Sequence, residues 1–172
     1  MVVTMKRKVF DSFDPTELAW ACVEPTLQQV HGMSAAVKSQ AVGQLSHGQR
    51  ALFLFRVLYD HAGTSAGDLY CWVSYLLGES QTWSAIKAGS RYFGDDEMLQ
   101  LLEELESVLG ARRQQGDGGR RDALPWDLDD DAELFASMSS FSDRFNEIVP
   151  RTLELMGVYI RDHPGEFVLI ED

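Results

Sequence analysis

The residues best suited to acid–base or metal chemistry are four histidines, two cysteines and 27 aspartates and glutamates. The histidines, His31, His47, His61 and His163, all fall at expected helix ends, and none lies at metal-ligand spacing from another histidine or from a cysteine. Paired carboxylates give no specific signal for catalysis, because so many acids produce chance pairs. Without a nucleophile elbow, P-loop or dinucleotide-binding motif, the sequence favours a protein that is not an enzyme and holds no metal or cofactor.

The two cysteines, Cys22 and Cys71, occupy apolar helical contexts and form no Cys-x-x-Cys motif. This favours reduced core thiols in a reducing compartment over a disulfide. The basic N-terminus carries Lys6, Arg7 and Lys8 but precedes a polar, acidic segment, so we expect no secretory signal. No apolar run approaches the ~20 residues that cross a bilayer. We therefore expect a cytoplasmic protein with no membrane contact.

Three of the four tryptophans recur at the spacing of buried helix faces, which favours a core role. Trp126 differs, since it lies between an arginine-rich segment and a run of acids. It is either an exposed anchor or a seal between that segment and the body of the protein. The alternative use of the aromatic residues is a ligand pocket formed by Tyr59, Tyr70, Trp72 and Trp83.

The charge of the chain is strongly asymmetric. The formal net charge is −12, yet residues 1–91 hold 8 Lys/Arg against 7 Asp/Glu, whereas residues 92–172 hold 7 Arg against 20 Asp/Glu. The negative electrostatic field of the second half repels nucleic acid and membrane surfaces and attracts basic partners.

The acids form two runs, within residues 95–106 and 127–133. Either run alone is typical of helix N-terminal charge and a solvated face. Together they predict a surface that binds a basic protein, because clustered like charges repel one another and lower stability. The predicted partner-binding residues are Asp95, Asp96, Glu103, Glu106, Asp127, Asp129, Asp130, Asp131 and Glu133.

Helix signals dominate the elements that must position these residues. Asp14-Pro15-Thr16-Glu17 and Ser46-His47-Gly48-Gln49 both read as capping boxes that begin helices. The second box precedes a segment that is apolar almost all round, which predicts a buried central helix over about residues 47–62. Pro25 predicts the end or a kink of the first helix before that residue.

Further helices are expected near 67–77, 80–92 and 98–109, the last capped by Asp95. Residues 111–125 predict an exposed, flexible loop, followed by helices over 129–138 and 142–160, the second kinked at Pro150. Residues 167–170 are expected to form a tail strand or a packed extended end. The fold prediction is a single all-α domain over residues 1–172, a bundle of about seven helices around the central one.

Four stretches carry a resemblance to a known family: Leu45–Asp60, Trp83–Ala88 with Tyr92–Gly94, Phe141–Asn146 and Tyr159–Phe167. They resemble a bacterial family of small acidic helical domains, formerly of unknown function, that includes a DNA-mimic protein. The resemblance spans roughly residues 45–167. It implies an all-α fold, and acids that imitate the phosphate spacing of duplex DNA and so occupy a DNA-binding protein.

The chain departs from that family at one place. Gly67-Asp68-Leu69-Tyr70-Cys71-Trp72 stands where a Gly-Gly-Phe-x-Gln stretch is expected. The expected function is a non-enzymatic acidic interaction protein, with a DNA mimic that binds a DNA-binding protein as its most specific form. The sequence leaves two alternatives open, an immunity or antitoxin-like protein and a small-molecule-binding helical domain, and it does not determine the oligomeric state.

Overall fold

The computed structural model describes residues 2–115 and 123–172, with side chains described up to Arg112 and again from Ala123. Within these ranges nine α-helices, one 3-10 helix and two strands of four residues each are present, so the all-α prediction is confirmed. In chain order the elements are β1 (Val3–Lys6), α1 (Arg7–Ser12), α2 (Pro15–Val30), α3 (Ala35–Gly43), α4 (His47–Ala62), α5 (Ala66–Gly78), α6 (Ser80–Tyr92), α7 (Asp96–Gln115), the 3-10 helix (Pro125–Leu128), α8 (Ala132–Asp162), α9 (Pro164–Phe167) and β2 (Val168–Glu171).

Both predicted capping boxes are present. The Glu17 amide donates to Asp14 Oδ1 at 2.8 Å, and the Asp14 amide donates to Glu17 Oε2 at 3.0 Å. Ser46 and Gln49 exchange the equivalent bonds at 3.2 Å each. These reciprocal bonds satisfy amides that a helix N-terminus otherwise leaves unpaired, which is why α2 and α4 begin where the sequence predicts.

α2 does not end at Pro25, which was one of the two outcomes expected there, and Pro150 lies inside a helix as the sequence predicts. α2 continues through Pro25, and α8 is one helix of 31 residues that contains Pro150, instead of two helices over 129–138 and 142–160. A proline inside a helix costs about 3 kcal/mol. Here the apolar stripe continues on both sides of each proline, and the burial of that stripe outweighs the lost hydrogen bond.

The predicted loop over 111–125 is also partly wrong. α7 continues through Gly110 to Gln115, and the 3-10 helix begins at Pro125, while residues 116–122 of the expected loop lie outside the described residues. Gly110 fails to stop the helix because it does not adopt a positive φ, whereas Gly32 and Gly94 do, at 70° and 72°.

α4 lies at the centre of the bundle, as predicted. Leu52, Phe55 and Leu58 are each 3% exposed or less, and α4 packs against α2, α5 and α6. Buried side chains from α1 through β2 join one hydrophobic cluster, to which α3 contributes no buried residue. The N-terminal elements β1, α1 and α3 were not predicted.

The two ends of the chain pair with each other. β1 and β2 form a parallel ladder in which Val3 lies opposite Val168 and Met5 lies opposite Ile170. The expected tail strand is therefore confirmed from Val168 onward, while Phe167 belongs to α9. None of the helices within the described ranges is long and apolar enough to cross a membrane.

α8 approaches α2 most closely at Gly157. A methyl group added to Gly157 would lie 1.9 Å from the carbonyl oxygen of Pro15, so backbone meets backbone at this point. Only glycine permits this approach, because the first turn of α2 cannot move without disturbing its capping box.

We expect Gly157→Ala to lower the free energy of unfolding by about 3 kcal/mol, the upper end for overpacking in a core. Gly110→Ala is the matched control, since nothing lies within 4 Å of its added methyl group. In that control the free energy of unfolding should instead rise by about 0.5–1 kcal/mol, because alanine has a better helix propensity than glycine. Urea unfolding followed by circular dichroism measures both, and equal effects would contradict the close approach.

Candidate functional site

The histidines and cysteines do not form a metal site in the described ranges. His31 and His163 follow helix ends, His47 begins α4, and no group of three metal-ligating side chains is present in the described ranges. Cys22 and Cys71 are free thiols. Burial raises the pKa of Cys22 to about 12, which keeps this thiol protonated and unreactive.

The most highly connected carboxylate is Glu166, which lies against the N-terminus of α4. It accepts hydrogen bonds from Ser46 Oγ at 2.6 Å, from the Gly48 amide at 2.8 Å and from the Tyr92 hydroxyl at 2.6 Å. Partial burial of Glu166 alone would raise its pKa, but these bonds and the nearby His47 outweigh burial and lower it. The ionised carboxylate thus joins the end of the chain to the start of the central helix.

Tyr159 extends this cluster. Its hydroxyl donates to that of Tyr92 at 2.7 Å, and its ring stacks on His163 at 4.1 Å between centroids. Burial and the hydrogen bond to Glu166 raise the pKa of Tyr92 well above its ordinary value, so it stays a donor. Residues from three of the stretches that carry the family resemblance therefore meet here. The cluster of Ser46, Tyr92, Tyr159 and Glu166, which we call the latch, holds the end of the chain against the start of α4 rather than forming an open site.

We expect Glu166→Gln to lower the free energy of unfolding by about 1–3 kcal/mol near neutral pH, because a charge-assisted acceptor is lost. The depressed pKa means that the unfolded chain binds this proton more readily. The carboxylate's stabilisation is therefore present above the ordinary value of 4.5 and is lost as pH falls through the lower folded-state pKa.

The measurement is urea unfolding at a series of pH values. The difference between the native chain and Glu166→Gln should shrink as the pH falls below that ordinary value. Glu147→Gln, an exposed position on α8, is the control and should differ from the native chain by less than about 0.5 kcal/mol. A pH-independent loss in Glu166→Gln would contradict the role of the charge.

Asp95 is not a surface acid, contrary to prediction. It is 1% exposed, it caps α7 by accepting the Met98 amide at 3.0 Å, and its other oxygen accepts the Thr152 hydroxyl at 2.5 Å. The predicted cap is therefore present, but the carboxylate faces inward and ties α7 to α8. No partner can reach it in the folded chain.

The acids of α7 pair with bases on both neighbouring helices. On one side Arg91 of α6 contacts Glu103 at 2.9 Å, and Lys87 of α6 pairs with Glu106. On the other side Arg144 of α8 contacts Glu104 at 2.6 Å, and this hydrogen bond lowers the pKa of Glu104. The residue numbers fall along α6 as they rise along α7, from the pair Arg91 and Glu103 to the pair Lys87 and Glu106, as expected for antiparallel helices. Successive bases of α6 therefore lie beside successive acids of α7.

Because Glu103 and Glu106 are paired, their charges are not available to a partner in the way that the sequence predicts. Exposed pairs of this kind are worth only ~0–1 kcal/mol each, so they add little stability, but they offset the self-repulsion that the sequence alone implies. The first acidic run is therefore used largely within the molecule, to hold α6, α7 and α8 in register.

In the second acidic run, residues 127–133, some acids likewise have partners within the protein. Asp131 caps α8 through the Leu134 amide at 2.9 Å and pairs with Arg112 at 2.6 Å, and these contacts lower its pKa. Asp127 accepts the Leu124 amide at 2.9 Å within the 3-10 helix turn. Arg112, at the start of the arginine-rich segment, thus offsets part of the charge of this run.

Four of the nine predicted acids remain exposed without an ion pair to another described residue: Asp96, Asp129, Asp130 and Glu133. Along the chain the last three lie between two exposed aromatic residues, Trp126 and Phe135, which are 58% and 53% exposed. Trp126 is therefore largely exposed to solvent and is not buried as a seal against the body of the protein. We call Trp126, Asp129, Asp130, Glu133 and Phe135 the acidic–aromatic patch.

We expect Asp95→Ala to lower the free energy of unfolding by about 1–3 kcal/mol, because α7 loses its cap and Thr152 loses its acceptor. Asp96→Ala changes the neighbouring exposed acid and should cost no more than about 0.5 kcal/mol. Chemical unfolding of both variants tests the distinction. Equal losses would mean that Asp95 has no special structural role.

A cleft of about 860 Å³ adjoins the acidic–aromatic patch. It lies between α5, the end of α7, the 3-10 helix and the start of α8, and its walls include Asp127 and Leu134. This volume falls within the range of ligand-binding pockets, ~300–1,000 Å³. Tyr70 and Trp72 line it as the pocket hypothesis expected, whereas Trp83 is 2% exposed in the core and Tyr59 stacks on Trp20.

Among the described residues that line the cleft, acids outnumber arginines and lysines. Besides partial burial, the charges of Asp127 and Asp68 raise the pKa of Cys71, so this half-buried thiol is disfavoured as a nucleophile. Sequence reasoning named two of its lining residues, Tyr70 and Trp72, but missed the others because the walls come from five elements that no local pattern brings together.

No family model, curated protein or solved structure matches the chain. The resemblance to the family that includes a DNA mimic stays a prediction.

Proposed function

We propose that this chain is a non-enzymatic interaction protein that binds a basic protein partner through the acidic–aromatic patch. The observation that carries the proposal is the contrast between the two acidic runs. The acids of α7 are largely paired with neighbouring bases, whereas Asp129, Asp130 and Glu133 have no ion pair to any described residue.

The exposed aromatic residues support the same surface. Interfaces concentrate their binding free energy in a few large side chains, with tryptophan among the most enriched, and surround them with polar groups. Trp126 and Phe135 offer such anchors in the same stretch of chain, one before and one after the three acids. The acids attract a basic partner over a distance, and the aromatic side chains supply the short-range contact.

The net charge of −12 disfavours direct binding to nucleic acid. A DNA-binding protein is the partner that the family resemblance implies, and DNA mimicry is the most specific form of this proposal. A mimic competes with duplex DNA for its partner, whereas a general basic-protein binder need not. Competition by duplex DNA therefore separates the two forms once a partner is purified.

We expect the triple variant Asp129→Asn, Asp130→Asn, Glu133→Gln to bind its partner about tenfold more weakly at low salt and to show a flatter salt dependence. Trp126→Ala should weaken binding by about 2 kcal/mol with little change in that dependence. The partner is captured from lysate at low salt, purified and titrated by calorimetry.

The matched control neutralises three exposed acids further along α8, through Asp143→Asn, Glu147→Gln and Glu154→Gln. It changes the net charge equally but leaves the acidic–aromatic patch intact. Equal weakening by both triple variants would mean that only overall charge matters and would refute a defined binding surface.

A small-molecule-binding helical domain is the second candidate, favoured by the volume and aromatic walls of the cleft. A thermal-shift screen tests it. Stabilisation by a neutral metabolite, abolished by a substitution in the cleft and not by the patch triple variant, would favour it over protein binding.

A further inference from the structure

Three aromatic rings form a row beside the cleft. His61 stacks on Trp72 with ring centroids 4.2 Å apart, and Trp72 contacts Tyr75 at 5.3 Å. All three line the cleft. Tyr75 ends the row and is 56% exposed, with Trp72 as its one ring neighbour among the described residues, so much of its ring is available to a ligand.

The charges around this row are mainly negative. Asp68 and Glu79 line the cleft at the two ends of α5, and Glu79 lies four residues after Tyr75. Glu79 is exposed and has no ion pair with any side chain in the described ranges. Arg112, the one arginine or lysine among the described lining residues, is already paired with Asp131.

An aromatic face beside an unpaired carboxylate suits one chemical group above others. The guanidinium of arginine is planar, stacks on aromatic rings and binds carboxylates through paired N–H groups. The ammonium of lysine is a strongly hydrated point charge that cannot stack in this way. The acids among the described lining residues repel anions, and a neutral ligand would leave Glu79 without an ion pair.

We propose that the cleft binds an arginine side chain of the basic partner, with the guanidinium stacked on Tyr75 and paired with Glu79. The inference rests on the proposed function, since it specifies what the partner presents next to the acidic–aromatic patch. Asp127 and Leu134 in the cleft wall belong to the same stretch of chain as the patch, so one partner segment can reach both.

The probes are three short capped peptides in which glycine alternates with arginine, lysine or citrulline. Citrulline keeps the planar shape of arginine and lacks its charge. Each peptide is titrated into the isotopically labelled full chain, and the indole N–H signals of Trp72 and Trp20 are followed by NMR. The arginine peptide should bind most tightly and shift Trp72 more than Trp20, with lysine about tenfold weaker and citrulline weaker still.

Tyr75→Ala and Glu79→Gln should each weaken the arginine peptide by about tenfold, and Tyr75→Phe should leave its affinity unchanged because the ring remains. Both positions are exposed, and circular dichroism checks that each variant folds. Equal binding of the arginine and lysine peptides, or unchanged affinity in both Tyr75→Ala and Glu79→Gln, would overturn the inference.

The patch triple variant separates this inference from the proposed function. If that variant weakens the purified partner while Tyr75→Ala and Glu79→Gln do not, the arginine cleft is wrong and the proposed function stands. If the cleft variants weaken the arginine peptide and the patch variant leaves the partner unaffected, the cleft stands and the proposed surface is wrong.

Discussion

The packing of α8 against α2 is the constraint on which the rest of the structure depends. At Gly157 the two backbones come so close that no side chain fits between them. This fixes the position of a helix of 31 residues, which also contacts α5, α7, α9 and the 3-10 helix. The continuous burial along α8 explains why Pro150 neither ends nor divides it. A locally unfavourable residue is accepted because its neighbours on the stripe remain buried.

The position of α8 in turn determines which acids of α7 are buried and which are paired. Asp95 is buried because Thr152 of α8 lies opposite the start of α7, and Glu104 is paired because Arg144 lies beside it. Of the nine acids predicted to bind a partner, four remain exposed without an ion pair to another described residue, and three of these belong to the acidic–aromatic patch. Which acids of a chain with a large net charge are exposed and unpaired therefore cannot be read from the charge itself.

The latch at Glu166 shows a further use of negative charge. This carboxylate replaces solvent at the N-terminus of the central helix and carries the C-terminal strand with it, so that β2 can pair with β1. It lies apart from the cleft and the patch. Structural and binding acids therefore differ in burial and in partners rather than in residue type: Glu166 accepts three hydrogen bonds, while Asp129 and Asp130 are exposed to solvent.

The sequence by itself determined the all-α class, the starts of α2 and α4 and the central place of α4, because capping boxes and apolar stripes act within a few residues. It also located the stretch that contains Asp129, Asp130 and Glu133. Only the tertiary structure decided which acids are free, because their partners lie far away along the chain: Thr152 is 57 residues from Asp95, and Arg144 is 40 residues from Glu104. The same holds for the continuation of α2 through Pro25, for the joining of the two expected helices into α8, and for the cleft, whose walls meet only when distant helices pack.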